Sequence, residues 1–135
     1  MDDNTLPSTN ASRTVLVIDD DLDMQRMVAR AITLAGFRPA CTADARGGLR
    51  LFHELRPAMA FLDLMLPDLS GLEICRRLRA EGTATPLVAI STRDSPEDEA
   101  NVMAAGFNLF IHKPMRLELV RRTVARFLGP APGGP

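Results

Sequence analysis

The stretch that decides the fold is TVLVIDD, residues 14–20, in which five apolar or β-branched residues precede two aspartates. An uninterrupted run of this length is typical of a strand buried on both faces of a parallel sheet, because a half-buried strand would alternate polar and apolar residues. The chain has 135 residues, a length that suits one domain with a real core. We therefore expect a single α/β domain built around this strand.

Short apolar runs alternate with longer amphipathic segments on either side of this run. The predicted strands cover residues 14–18, 37–42, 58–62, 86–90 and 108–111, and the predicted helices cover 21–35, 44 to 53 or 54, 71–80, 96–105 and 115–128. Pro39 cannot donate to a sheet ladder, so the second strand is expected at an edge. Right-handed crossovers between such strands give a parallel sheet with helices on both faces, a three-layer α/β sandwich.

Several local features accompany these segments. The polar residues 1–12 and the Pro- and Gly-rich residues 129–135 predict two tails, the second equally suited to a linker, around a domain of residues 13–128. Asp44 and Ser95 are predicted helix caps. The side chains expected to face the core from the first helix are Leu22, Met27, Ala31 and Leu34. Cys41 and Cys75 lack the spacing of a metal site and are expected to be small buried thiols.

Charge and hydropathy limit the classes of partner. The net charge is −1 and the isoelectric point lies near 6.1, so nothing in bulk electrostatics favours direct binding to nucleic acid or to an anionic membrane. The sequence contains neither a transmembrane-length apolar run nor the cationic and apolar regions of a signal peptide, which leads us to expect a cytoplasmic protein. Lys113 is the only lysine in the chain.

Polar side chains stand where the predicted strands end. Asp19 and Asp20 follow the first strand, Asp63 the third, Ser91 and Thr92 the fourth, and Lys113 with Pro114 the fifth. In parallel sheets the functional site lies beyond the carboxyl ends of the strands. Two carboxylates about 4 Å apart repel by roughly 4 kcal/mol at an effective dielectric near 20, so the three aspartates need a cation.

Mg²⁺ suits such a group because it takes a few carboxylates and leaves positions for water and phosphate oxygens. A lysine and a hydroxyl beside it would contact phosphoryl oxygens. The chain has no glycine-rich phosphate-binding loop, so the phosphoryl group is expected to arrive from a partner or a small donor and to be received by a carboxylate.

Four motifs together carry a resemblance to a known family. They are VLVIDDD (15–21), FLDLMLPDLSG (61–71), PLVAIST (86–92) and FIHKP (110–114). In this order and spacing the chain resembles a response-regulator receiver domain of bacterial two-component signalling, over roughly residues 13–128. The resemblance implies the CheY-like fold, a flavodoxin-like arrangement of five parallel strands in the order 2-1-3-4-5 with five helices.

The resemblance also implies roles for the acidic residues. Asp63 matches the phospho-acceptor. Asp20 matches a direct Mg²⁺ ligand, and Asp19 matches the acid that holds the metal largely through water. The backbone carbonyl of Met65 would be the remaining protein ligand.

The other matched positions concern the switch. Ser91 matches the switch hydroxyl, with Thr92 as the competing candidate, and Lys113 matches the lysine that pairs with the phosphoryl group. Pro114 matches the proline of a cis peptide bond, which X-Pro sequences tolerate. Phe110 stands where the family usually has a switch tyrosine, so a tyrosine hydrogen bond to a partner is excluded.

These matches predict a phosphorelay receiver that takes a phosphoryl group from a histidine kinase or phosphotransfer protein, catalyses only its own phosphorylation and dephosphorylation, and controls a downstream target or an output domain. Three alternatives stay open: a receiver module of a longer regulator, a degenerate receiver that only binds proteins, and a haloacid-dehalogenase-type phosphatase. The last class places its two aspartates in one DxD motif, whereas here they follow different strands. Dimerisation through the fourth helix, fifth strand and fifth helix is also left open.

Two further expectations concern individual side chains. Met65 and Arg93, each two residues beyond a site residue, are predicted to shield the acyl phosphate and slow its hydrolysis. Both histidines of the chain are expected on the surface: His53 and His112. The four arginines in and just before the last helix are expected there too: Arg116, Arg121, Arg122 and Arg126.

Overall fold

The computed structural model describes residues 13–92 and 96–129, with the backbone alone for residues 96–98. Five strands alternate with five helices: β1 (Thr14–Ile18), α1 (Leu22–Leu34), β2 (Arg38–Thr42), α2 (Ala45–Leu55), β3 (Met59–Asp63), α3 (Gly71–Ala80), β4 (Leu87–Ser91), α4 (Pro96–Ala105), β5 (Leu109–His112) and α5 (Leu117–Leu128). The strands form one parallel sheet in the order β2-β1-β3-β4-β5. Both the predicted fold class and the implied strand order are confirmed.

Helices cover both faces of the sheet, which explains the unbroken apolar runs. Val15 and Val17 of β1 pack on the face covered by α1 and α5. Leu16 and Ile18 pack on the opposite face, which α2, α3 and α4 cover. All five residues of β1 are buried, as the continuous run predicts. Pro39 lies in β2, at the edge of the sheet.

The predicted apolar face of the first helix is partly wrong. Leu22 and Leu34 are 55% and 57% exposed, whereas the buried residues of α1 are Val28, Ala31 and Ile32. Leu22 and Leu34 each stand six residues from Val28, which rotates them about 240° around the helix axis and away from the sheet. The stripe that faces the core is therefore centred on Val28 and Ile32.

The prediction for the cysteines is half right. Cys75 is buried in α3, but Cys41 is exposed. Cys41 lies on β2, whose position at the sheet edge leaves it only partly covered. Edge strands commonly keep such solvent-facing positions.

The strands continue one residue further than the apolar runs suggest. Asp63, Ser91 and His112 are the last residues of β3, β4 and β5, because polar side chains at these positions do not prevent the backbone ladder from continuing. The same hydrogen bonding extends past the strand ends: the Leu64 N–H donates to the Ile90 carbonyl at 3.1 Å, and the Lys113 N–H donates to the Ser91 carbonyl at 2.8 Å. The site residues are thus held by the sheet itself.

Helix caps agree with the sequence where they are described. The Asp44 carboxylate accepts a hydrogen bond from the Gly47 N–H at 2.7 Å and caps α2, and Gly106, at φ 113°, follows the end of α4. Ser95 lies outside the described residues. Within the described ranges, no helix is both long and apolar enough to cross a membrane.

Arg79 of α3 bonds to the two loops that precede β4 and β5, at the amino-terminal edge of the sheet. Its guanidinium donates to the carbonyls of Gly106, Thr83 and Thr85 at 2.8–3.0 Å, and to Asn108 Oδ1 at 2.8 Å. The same Asn108 oxygen accepts the Leu87 N–H at 2.8 Å. One side chain of α3 therefore ties the start of β4 to the loop before β5.

We expect Arg79→Ala to lower the free energy of unfolding by about 2 kcal/mol, because four acceptors lose a charged donor. Arg77→Ala is the matched control, since Arg77 lies on the same helix and forms an exposed pair with Glu73 at 3.4 Å, worth about 0.5 kcal/mol or less. Urea unfolding followed by circular dichroism measures both. Equal losses would contradict the role assigned to Arg79.

Candidate functional site

Charged side chains from three strand ends meet at the carboxyl edge of the sheet. Asp19 and Asp20 follow β1, Asp63 ends β3, and Lys113 follows β5. Ligand atoms of the three carboxylates all lie within 4.8 Å of one another. Lys113 Nζ stands 3.1 Å from Asp19 Oδ2 and 3.0 Å from Asp63 Oδ2. Asp19 and Asp63 are buried while Asp20 is exposed, so the pocket opens to solvent on the Asp20 side.

Backbone amides orient the two buried carboxylates. The Asp21 N–H donates to Asp19 Oδ1 at 2.9 Å, and the Met65 N–H donates to Asp63 Oδ1 at 2.9 Å. Each acid thus receives the N–H of the residue two positions later. One oxygen of Asp63 is held by the chain and the other faces the lysine.

Two further residues fix the strand ends that carry these acids. Gln25 Nε2 in α1 donates to the carbonyls of Asp19 and Thr42, each at 3.1 Å, and so joins the ends of β1 and β2. Gly71 starts α3 directly against β3, where a Cβ would stand only 2.4 Å from the Asp63 carbonyl oxygen. A larger residue there would displace the acceptor strand.

The pocket is short of positive charge. Burial raises the pKa of Asp19 to about 6, although the Asp21 N–H and Lys113 lower it. For Lys113, burial lowers the pKa, but the hydrogen bonds to Asp63 and Asp19 outweigh it and the net shift is upward. One ammonium therefore faces three carboxylates, and Coulomb repulsion between them is only partly offset.

The oxygen chemistry fits a divalent cation. Asp19 Oδ2 is buried and accepts no well-aligned hydrogen bond from any described residue, even though Lys113 Nζ is nearby. A buried carboxylate oxygen without such a partner is costly, and a hard cation coordinated by oxygens would satisfy it. Asp19, Asp20 and Asp63 can therefore hold a metal ion.

The predicted hydroxyl and proline positions lie beside this cluster. Ser91 is fully buried at the end of β4, one residue beyond Ile90, whose partner across the sheet is Asp63. Thr92 is exposed, which favours Ser91 over its competitor. The Lys113–Pro114 peptide bond is cis, as predicted.

Phe110, at the predicted aromatic switch position, is half-buried. The Phe110 ring lies 4.6 Å from the His112 ring, centroid to centroid and tilted by 49°. His112 is exposed, and His53 is exposed and lies 2.7 Å from Glu81, which confirms the surface placement of both histidines. The arginines of the last helix region are exposed or half-buried, as expected: Arg116, Arg121, Arg122 and Arg126.

Comparison with known proteins accounts for this arrangement. Residues 15–125 match the family model of the response regulator receiver domain. The chain belongs to the response-regulator receiver-domain family. It is 34% identical over 117 residues to the response regulator MprA of Mycolicibacterium vanbaalenii, which covers 81% of this chain and 51% of that protein. It is 35% identical over 113 residues to the DNA-binding response regulator MtrA of Mycobacterium leprae, covering 83% and 50%.

Solved structures agree in fold. The chemotaxis response regulator CheY4 of Vibrio cholerae superposes with a TM-score of 0.79 at 26% identity, over 86% of this chain and 98% of that one. The receiver domain of a LuxO repressor protein from Vibrio parahaemolyticus gives 0.81 at 20% identity, over 87% and 90%, a likeness of fold alone. The chain spans about half the length of the curated relatives it matches.

Membership in the receiver family argues against the alternative of a haloacid-dehalogenase-type phosphatase. The acids of this receiver come from the ends of β1 and β3, whereas the phosphatase class needs two aspartates on one strand. Arg93, the second residue expected to shield the acceptor, lies outside the described residues. Its companion Met65 is 53% exposed.

Sequence reasoning missed two residues that support the receiver pocket. Gln25 ties β1 to β2, and Asp68 bonds the loop after Asp63 to α2 through the N–H groups of Ala45 and Arg46. Asp68 stands within the quoted motif at 61–71, but it was not singled out there. Gln25 lies in an ordinary polar position of α1, where no local signal distinguishes it.

The raised pKa of Asp19 predicts how the stability of the metal-free receiver depends on pH. The folded chain holds a proton on Asp19 up to about pH 6, against 3.8 for an ordinary aspartate, so the free energy of unfolding falls as the pH rises through this interval. We expect a loss of about 1 kcal/mol between pH 5 and pH 7 in the presence of a chelator.

Urea unfolding of the metal-free receiver and of Asp19→Asn at both pH values measures this contribution. The exposed His53–Glu81 pair is present in both proteins, so the difference between them isolates Asp19. A decline of the same size in Asp19→Asn would refute the assignment.

Proposed function

We propose that this receiver accepts a phosphoryl group on Asp63, in a Mg²⁺-dependent reaction, from the phosphohistidine of a histidine kinase or phosphotransfer protein. The observation that carries the proposal is the position of Asp63. Its carboxylate meets the ammonium of Lys113 at 3.0 Å and lies within 4.8 Å of Asp19 and Asp20. A nucleophile, a fixed cation and a set of oxygen ligands thus share one small pocket.

In the transfer, an Asp63 carboxylate oxygen forms a bond to phosphorus while the bond from phosphorus to the donor imidazole nitrogen breaks in line. The product is an acyl phosphate, and the released imidazole takes a proton from solvent. The Met65 N–H, which already holds Asp63 Oδ1, keeps the acid oriented. Lys113 provides a positive charge for the incoming phosphoryl oxygens.

In this proposal, Mg²⁺ would be held by the carboxylates of Asp20 and Asp63 and by the Met65 carbonyl, and largely through water by Asp19. When bound, it neutralises charge on the phosphoryl oxygens and on the carboxylates. Asp20 is the exposed member of the set, which suits a ligand that the ion can reach from solvent. Asp19 is the buried one and orders the pocket.

Ser91 and Phe110 would convert phosphorylation into a change of surface. Ser91 ends β4 beside the acceptor strand, so its hydroxyl is suited to donate to a phosphoryl oxygen. Phe110 lies half-buried on the neighbouring β5, where an inward movement of its ring would report the state of the site. Together they would reposition α4 and its surroundings.

The target of this switch is another protein or an output domain. MtrA, whose amino-acid sequence is about twice as long as the matched region, is named as DNA-binding, and we propose by analogy that the receiver controls an output domain in a longer cytoplasmic regulator. It is not an enzyme toward other substrates in this proposal. Dimerisation would use α4, β5 and α5.

We expect wild-type protein incubated with Mg²⁺ and acetyl phosphate or phosphoramidate to gain the mass of about one phosphoryl group by intact mass spectrometry. Asp63→Asn should gain none, because the nucleophile is lost. Asp20→Asn should need far more Mg²⁺. Asp23→Asn is the matched control, since Asp23 is exposed on α1 and no proposed ligand, and it should behave as wild type.

Any other result of the phosphorylation experiment would support one of the alternative functions or reject Asp63 as the acceptor. No gain in wild type with several donors would indicate a degenerate receiver that only binds proteins. Turnover of phosphomonoesters would indicate a phosphatase. A gain that persists in Asp63→Asn would reject Asp63 as the acceptor.

The exposed Met65 side chain predicts a long-lived acyl phosphate. The thioether of Met65 is only a weak hydrogen-bond acceptor, so it cannot orient an attacking water molecule well. An amide side chain at this position can both donate and accept, and can therefore orient the water. We expect Met65→Asn to shorten the phosphoryl lifetime severalfold. Met103→Asn, the same change at a similarly exposed methionine of α4, should leave it unchanged, and equal lifetimes in both variants would exclude shielding by Met65.

A further inference from the structure

The loop that follows the acceptor is tied to a helix that carries no part of the pocket. Asp68 Oδ1 accepts the Ala45 N–H at 2.8 Å, and Asp68 Oδ2 accepts the Arg46 N–H at 3.0 Å. Both oxygens of this exposed carboxylate are therefore used, and both bonds span more than twenty residues of sequence. The first turn of α2 is thereby joined to the loop of residues 64–70.

This bond pair is more than a helix cap. α2 already has its own cap, because Asp44 accepts the Gly47 N–H at 2.7 Å. The N–H groups that Asp68 takes are others of the unpaired donors at the helix start. Two carboxylates thus serve one helix end, one from its own chain segment and one from the loop after β3.

The other attachments of this loop hold it to β4, to α3 and to the core rather than to α2. The Leu64 N–H bonds to Ile90 at the start of the loop, and the Gly71 N–H bonds to the Leu64 carbonyl at its end, both at 3.1 Å. Between these points, Leu66 and Leu69 pack against the core, and the Ser70 hydroxyl accepts the Leu72 N–H at 3.1 Å and caps α3. Among the described residues of the loop, Asp68 is the one whose side chain bonds it to α2. Met65, with its N–H on Asp63, lies inside this span.

We propose that Asp68 is a positioning residue for phosphoryl transfer: by anchoring the loop to α2, it holds the Met65 backbone in place, both the N–H that orients Asp63 and the carbonyl on the metal side. The inference rests on the proposed function of Asp63. Hydrogen bonds from the Ala45 and Arg46 N–H groups also lower the pKa of Asp68, because both bonds favour its ionised form. Asp68 itself touches no reacting atom.

The test compares Asp68→Ala with Asp44→Ala. Each variant removes one carboxylate from the same helix end, but only the first detaches the loop. Mg²⁺ affinity is measured by calorimetry, since the chain has no Trp or Tyr for intrinsic fluorescence, and the initial rate of phosphorylation by acetyl phosphate is measured as a function of Mg²⁺. Urea unfolding supplies the stability of each variant.

We expect Asp68→Ala to weaken Mg²⁺ binding roughly tenfold, as loss of a group that orients a ligand does. The Mg²⁺ midpoint of the phosphorylation rate should move by the same factor, while the rate at saturating Mg²⁺ falls less. Asp44→Ala should lose stability without moving the midpoint. Asp68→Asn, which has one acceptor oxygen and so can keep one of the two bonds, should lie between Asp68→Ala and wild type.

The outcomes separate the two proposals. If wild type takes up no phosphoryl group, the proposed function fails and the positioning role fails with it. If wild type reacts and Asp68→Ala has the same Mg²⁺ midpoint as Asp44→Ala, the positioning role alone is overturned. A shared shift in both alanine variants would assign the effect to the stability of α2.

Discussion

The ion pairs of Lys113 with Asp19 and Asp63 are the interaction on which this receiver depends. Three sequence-distant segments end at this point, and their carboxylates would repel by several kcal/mol without a cation between them. The ammonium lies 3.0–3.1 Å from both acids. The strand order places β3 beside β1, which brings the two acids together, and the lysine reaches them from the far side of β4.

These ion pairs do not neutralise the charge of the pocket. Lys113 supplies one positive charge against three carboxylates, and burial keeps the pKa of Asp19 near 6. The excess of negative charge lowers the stability of the metal-free receiver and favours the binding of a cation. Functional sites commonly reduce stability in this way. The metal-free receiver is thus less stable at neutral pH than its core alone would allow.

The charged cluster could be predicted because each member follows an apolar run, and the carboxyl ends of parallel strands share one edge of the sheet. The two residues that anchor the pocket, Asp68 and Gln25, could not be predicted in this way. Asp68 accepts two hydrogen bonds from backbone N–H groups of α2, and Gln25 donates two to the carbonyls of Asp19 and Thr42. No periodic pattern in the sequence marks such contacts. The errors at Leu22 and Leu34 have another origin, since hydrophobic residues on a helix do not identify which side faces the sheet until the centre of the buried stripe is known.

Lys113 also joins the pocket to the residues assigned to the switch. Its side chain pairs with the acids, and its backbone N–H donates to the Ser91 carbonyl at 2.8 Å. The preceding residue, His112, contacts the Phe110 ring. If Asp63 becomes an acyl phosphate, its carboxylate charge moves outward onto the phosphoryl oxygens, and the ammonium would either follow that charge or keep only Asp19 of its two carboxylate partners. Because the Lys113 backbone follows β5 directly and is bonded to the end of β4, a displacement of this residue would act on the ends of both strands. In the proposed switch, Ser91 and Phe110 would therefore respond to one common cause, the displacement of Lys113.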